Sequence, residues 1–223
     1  MEQNRPAHRG TLRNHRQTVT QLSDEQKRSV AREAATLLYF GAEKEYKQAK
    51  QRAAETLGTH FLPSNLEVAL ELDLVAEENE GEKRKERLVE MRKEALEVMR
   101  LLNQFCPVLI GSVWRGTIKR GSDIDIAIYA EDPEQVKSSL KAGAVKIDKT
   151  EWAKVNKKGA TLETFHIHAQ TPKENSLEIT VRHSEEAGKK RRCETFGDEL
   201  RGLNISQLEK VLATHPTQQF IPQ

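Results

Sequence analysis

The chain has 223 residues, with 36 Lys and Arg against 34 Asp and Glu, a net charge of +2, 31 % charged residues and 5 % aromatics. This suits one heavily solvated domain, or a small core with a helical attachment. No apolar run approaches the roughly 20 residues that span a bilayer, and the N-terminus lacks the apolar stretch of a secretory signal. No membrane partner and a cytoplasmic location are therefore expected. Cys106 and Cys193 stand far apart; without the paired spacing of a zinc site they read as reduced thiols.

In chain order, residues 1–22 are polar and basic, with Arg5, Arg9, Arg13 and Arg16 against the single acid Glu2. They read as a flexible basic arm, of a kind able to contact RNA phosphates. Residues 23–105 read as helical. Ser23-Asp24-Glu25-Gln26 fits a capping box, and Val30, Ala34, Leu37, Leu38, Ala42, Tyr46, Ala49, Ala53 and Leu57 then recur at steps of three and four. Gly41 marks a break in this run and Gly58 its end. Ser64-Asn65-Leu66-Glu67 opens a second helix that should stop near Gly81. A third follows, with Leu88, Met91, Ala95, Val98, Leu102 and Phe105 on one face and charged residues on the other.

From Pro107 the pattern changes to short apolar runs separated by turn residues. Val108 to Ile110 and Ile124 to Tyr129 read as strands, and Asp132-Pro133 as the start of a helix. Further strands are expected near 144–148, 162–169 and 177–182, and a last helix over 206–213 before a Pro-containing tail. The expected class is α+β: a small mixed sheet with flanking helices (106–184), preceded by the helical region and followed by a helical segment and tail (185–223).

The most informative stretch is Leu109-Ile110-Gly111-Ser112, then ten residues, then Asp123-Ile124-Asp125-Ile126. In a strand alternate side chains share a face, so Asp123 and Asp125 project together while Ile124 and Ile126 turn inward. An exposed acidic pair backed by isoleucine is a natural ligand set for a hard divalent cation, Mg²⁺ first and Mn²⁺ as its substitute. A strand ending in Gly-Ser lets backbone N–H groups and the Ser112 hydroxyl approach phosphate oxygens. A further acid between apolar residues occurs at Leu177-Glu178-Ile179, and Glu178 is the expected third ligand. Arg115, Lys119 and Arg120 lie between the turn and the acidic pair, where a cation could neutralise triphosphate charge. His166 and His168 face one way on a strand and, with no third ligand evident, read as a hydrogen-bonded structural pair. The Lys and Arg runs at 154–158 and 189–192 could guide a phosphodiester backbone or be solvated loops.

These motifs resemble the DNA polymerase β-like nucleotidyltransferase superfamily. Gly111-Ser112-Val113-Trp114-Arg115-Gly116-Thr117 followed by Ser122-Asp123-Ile124-Asp125 is especially similar to archaeal CCA-adding enzymes and minimal nucleotidyltransferases. The resemblance covers about 107–183 and implies Mg²⁺ and a nucleoside triphosphate attacked at its α-phosphate with loss of pyrophosphate. It implies that Asp123 and Asp125 hold the metals, that Glu178 completes them, and that Gly111 and Ser112 bind the β- and γ-phosphates. Many members use aspartate as the third acid, where this chain has a glutamate. CCA addition is not expected, because the large tail domains of those enzymes have no counterpart here. ATP is the expected nucleotide and RNA the expected acceptor; the competing reading is a non-catalytic binding module or antitoxin of the same fold. The sequence leaves the oligomeric state open.

Overall fold

The structure, a computed structural model, describes residues 10–157 and 160–222, with side chains described for 23–154 and 163–222. The first nine residues of the expected arm, and the side chains of the rest of it, lie outside the described residues. The chain divides into two compact units, the first running to Val75 and the second from Ala76 onward.

In the first unit, α1 spans Gly10–Tyr39, α2 spans Tyr46–Thr56, and α3 begins at Asn65 and runs to Glu80. The expected start at Ser23 is not a helix end, because α1 reaches back to Gly10. A good cap does not interrupt a helix once propagation past it is favourable. The break expected at Gly41 and the stop at Gly58 are both present, with φ of +73° and +61°. Small residues let α1 and α2 approach closely: Ala31, Ala34 and Ala35 are buried on one, Ala49, Ala53 and Ala54 on the other. The box that opens α3 is complete. Ser64 N–H donates to Glu67 Oε2 at 2.6 Å, and Glu67 N–H donates to Ser64 Oγ at 3.2 Å.

The second unit is built on α4 (Glu82–Leu101), β1 (Val108–Ile110), α5 (Gly111–Arg115), β2 (Ile124–Tyr129), α6 (Pro133–Ala142), β3 (Lys146–Lys157), β4 (Ala160–Gln170), β5 (Ser176–Arg182) and α7 (Ile205–Thr214). The five strands form one sheet in the order β1-β2-β5-β4-β3. β2 and β5 run parallel and the other neighbours antiparallel. This is the α+β architecture with a small mixed sheet, flanking helices and an N-terminal helical region.

Alternation decides which face of that sheet is apolar. Ile124, Ile126 and Ile128 of β2, Leu177, Ile179 and Val181 of β5, and Phe165, Ile167 and Ala169 of β4 are all buried. They share a core with Leu88, Met91, Ala95, Val98 and Met99 of α4 and with Val136 and Leu140 of α6. The intervening residues Asp125, Glu178, Thr180, His166 and His168 therefore stand on the opposite face. A strand expected only over 144–148 is much longer, because β3 pairs along its whole length with β4. Cross-strand pairing holds a polar sequence extended where periodicity alone does not announce it.

A buried arginine anchors the end of the second unit. Arg92 on α4 is fully buried and donates to four carbonyls: Val113 O at 3.1 Å, Trp114 O at 2.8 Å, Pro216 O at 2.6 Å and Gln218 O at 2.8 Å. Burial lowers its pKa to about 10, so it keeps its proton at neutral pH. Among the described residues no helix is long and apolar enough to cross a membrane.

Candidate active site

The site forms where the short edge strand turns back beside β2. Ile110 pairs with Asp125 across the β1–β2 ladder, so the next residue, Gly111, sits beside the Asp125 side chain. Gly111 has φ +70°, and a Cβ placed on it would fall 1.9 Å from Asp125 Oδ2. Only glycine allows both that backbone and that carboxylate position. The five residues Gly111–Arg115 form a single helical turn, α5, closed by Gly116 at φ +76°. Sequence patterning gave no sign of this turn, since five residues are too few to show a helical period.

On the other side of Asp125 lies Glu178, its partner in the parallel β2–β5 register, and the next residue across is His168. Asp123 precedes β2 and is more exposed than Asp125. Asp125 is pushed up to about 7, first by burial and then by the charges of Glu178 and Asp123. Every influence on it acts in the same direction. Asp123 is also raised, by partial desolvation and then by Glu178, while Lys119 and His168 draw it down. The charge of Glu178 thus bears on both aspartates, and at Asp125 no cation offsets it, an arrangement that a bound cation would relieve.

The donor set is all oxygen and fits a hard divalent cation in chemistry. Among the described residues, however, no three His, Cys, Asp or Glu side chains are already grouped as a metal cage. Glu178 is engaged within the sheet. Its Oε1 accepts a hydrogen bond from His166 Nδ1 at 2.7 Å, and His166 Nε2 is 2.9 Å from Thr164 Oγ1. His168 is bound separately, with Nε2 3.1 Å from Glu151 Oε1. The two histidines expected to form a pair are each hydrogen-bonded, but to different acids. Their link to Glu178 and Glu151 follows from strand register, which a single strand's sequence does not reveal.

The loop from α5 to β2 is held in place by the end of α3 and by α4. Arg84 Nε donates to Ile118 O at 2.6 Å, and Glu80 Oε1 accepts from Arg120 N–H at 2.8 Å. Lys119 N–H in turn donates to Ser122 Oγ at 2.9 Å. Lys119 lies close enough to Asp123 to lower its pKa, and Arg120 is exposed. Arg115 is placed differently. It is buried, its guanidinium grips Asp198 with two bonds of 2.6 and 3.2 Å, and it donates to Phe220 O at 2.9 Å. The rings of Trp114 and Phe196 flank it at 4.4 and 4.2 Å. Trp114 is itself buried against this arginine. Of the basic runs, Lys154 pairs with Glu163 at 2.6 Å, and the side chains of Lys157 and Lys158 lie outside the described residues.

Residues 107–191 match the family model described as a nucleotidyltransferase domain. No curated protein matches. Solved structures resemble the chain weakly. A cytoplasmic RNA terminal U-transferase is 18 % identical, with 45 % of this chain and 29 % of that one covered at a TM-score of 0.28. The Cid1 poly(U) polymerase with MgGTP bound is 16 % identical, over 45 % and 32 % at 0.27. JHP933 from Helicobacter pylori is 13 % identical, over 53 % and 51 % at 0.27. The chain spans about a third or less of the first two of these structures. The family match is to the domain at large and does not single out the CCA-adding branch. Residues 107–191 are thus similar to a nucleotidyltransferase domain.

Proposed function

We propose that the chain is a divalent-cation-dependent nucleotidyltransferase that moves a nucleoside monophosphate from ATP to a hydroxyl of an RNA acceptor in the cytoplasm, releasing pyrophosphate. The observation that carries this reading is the position of Asp125, with Glu178 on the neighbouring strand to one side and the Gly111 turn to the other. Acid groups and the backbone of a tight glycine turn are thereby adjacent, as an in-line transfer at a polyphosphate needs.

Asp123, Asp125 and Glu178 would hold Mg²⁺, with Mn²⁺ as a substitute. When bound, such ions stabilise charge on the transferring phosphoryl group and on the entering and leaving oxygens. The backbone of the Gly111 turn and the Ser112 hydroxyl would bind the β- and γ-phosphates. Lys119 and Arg120, on a loop tied down by Arg84 and Glu80, add positive charge beside that turn. Arg115 serves the same turn from beneath: its charge is committed to Asp198, so it fixes α5 rather than touching phosphate. Lys190 and Arg201 are exposed and share Glu199 at 3.6 Å; with the rest of the 189–192 run they would offer positive charge to an RNA backbone.

The test is transfer of α-labelled nucleotide. Each labelled NTP is incubated with Mg²⁺, the protein and total RNA, and the reaction is repeated with Asp123→Asn plus Asp125→Asn. Label in RNA that the double variant cannot transfer supports the reading. Equal label from both proteins, or none from either while a partner is still bound, would return the chain to the binding-module alternative.

A further inference from the structure

We infer that His166 is a positioning residue that sets the third acid of the site, through a Thr164–His166–Glu178 chain on the open face of the sheet. The inference rests on the metal-site reading above and adds to it the group that orients one of its ligands.

The geometry fixes the roles of the atoms. An ionised carboxylate only accepts hydrogen bonds, so the 2.7 Å contact requires the proton on His166 Nδ1. The other ring nitrogen, Nε2, lies 2.9 Å from the Thr164 hydroxyl, which can donate to it or accept from it. Both ring nitrogens are thereby satisfied, and the imidazole has one orientation. Thr164 is two residues from His166 on β4, on the same face of the strand, and His166 is paired with Thr180 of β5. The register puts Glu178 diagonally one pair away, within reach of the ring.

This matters because the third acid is a glutamate. Its extra methylene gives it one more rotatable bond than an aspartate, and therefore more orientations to lose when it is ordered. Unheld, the carboxylate would swing away from Asp125 to escape like charge. His166 removes that freedom by taking Oε1, and Oε2 would remain for a cation. Partners in this outer position commonly change metal affinity by about 10- to 100-fold.

The test compares His166→Ala, His166→Asn and Thr164→Val with wild type and with Asp125→Asn, using Mn²⁺ alone as the probe. Mn²⁺ affinity is read by electron paramagnetic resonance, and folding is checked by circular dichroism and thermal melts. Asparagine places an amide N–H near the position of Nδ1 and can still donate to Glu178. We expect Mn²⁺ affinity to fall about tenfold or more in His166→Ala. Asparagine should recover most of that loss, and Thr164→Val should show a smaller one. Wild-type affinity in folded His166→Ala, with Asp125→Asn defective, overturns the role of His166 and leaves the metal site standing. Failure of asparagine to recover any affinity overturns it too. Mn²⁺ binding that Asp125→Asn does not weaken, or no binding at all, overturns both the inference and the reading it rests on. If His166→Ala does not fold, the comparison of asparagine with Thr164→Val decides in the same way.

Discussion

Replacing Asp125 with asparagine is expected to make the protein more stable at alkaline pH and, on the proposed function, to abolish nucleotide transfer. The carboxyl is raised from 3.8 to about 7 in the folded protein, with burial the leading cause. A folded-state value above the unfolded one means that the native state holds the proton more tightly. The resulting stabilisation is complete below the unfolded value and is lost as pH rises through about 7. Carried over that interval, about 1.4 kcal/mol per tenfold change in proton affinity amounts to about 4 kcal/mol. Asp125 keeps some contact with water, and screening there brings the expected change to about 2 kcal/mol. Asparagine is close in shape to the protonated acid and carries no charge. Urea unfolding at pH 3 should therefore give nearly equal stability for wild type and Asp125→Asn, whereas at pH 8 the variant should be more stable by about 2 kcal/mol. Adding Mg²⁺ or Mn²⁺ at pH 8 should raise the wild type toward the variant and leave the variant almost unchanged. A variant less stable than wild type at pH 8, or a difference that does not change between the two pH values, would refute the reasoning.

Gly111→Ala should lower the melting temperature by several degrees, because left-handed backbone costs an L-residue about 1–2 kcal/mol and the new Cβ meets Asp125 Oδ2. Nucleotide transfer should fall about 100-fold or more with it. Gly188→Ala is the comparison, since its φ of +79° is similar but open space surrounds it; a similar loss of transfer there would remove the special role of Gly111. Arg92→Met should cost about 3 kcal/mol or more, because four carbonyls lose their donor in a buried place. Chemical denaturation measures this directly, and a cost under about 1 kcal/mol would show that water replaces the guanidinium.

Much of the second unit was legible because one face of its sheet is buried. Ile124, Ile126 and Ile128, like Leu177, Ile179 and Val181, alternate with polar residues, and that period places Asp125 and Glu178 on the open side before any pairing is known. The cap at Ser64 and the stops at Gly41, Gly58 and Gly81 were equally local, and the structure realises them. What depended on register or on distant carbonyls was not legible. The His166–Glu178 bond joins residues brought together only by β4 pairing with β5. Arg115 follows the Gly-Ser turn as a phosphate-binding arginine would, yet its partner is Asp198, 83 positions along the chain. Arg92 looked like one charge among many on α4, and no pattern announces an arginine whose partners are four backbone oxygens. The strand β3 was foreshortened for a related reason, because its polar residues are held extended by β4 rather than by an apolar face.

The most direct measurement is an anomalous-scattering map of a crystal containing Mn²⁺ and a non-hydrolysable ATP analogue. Density for manganese bridging the carboxylates of Asp123, Asp125 and Glu178, with the terminal phosphates against Gly111 and Ser112, is the predicted result. Manganese bound elsewhere, or a triphosphate seated away from that turn, would contradict the account.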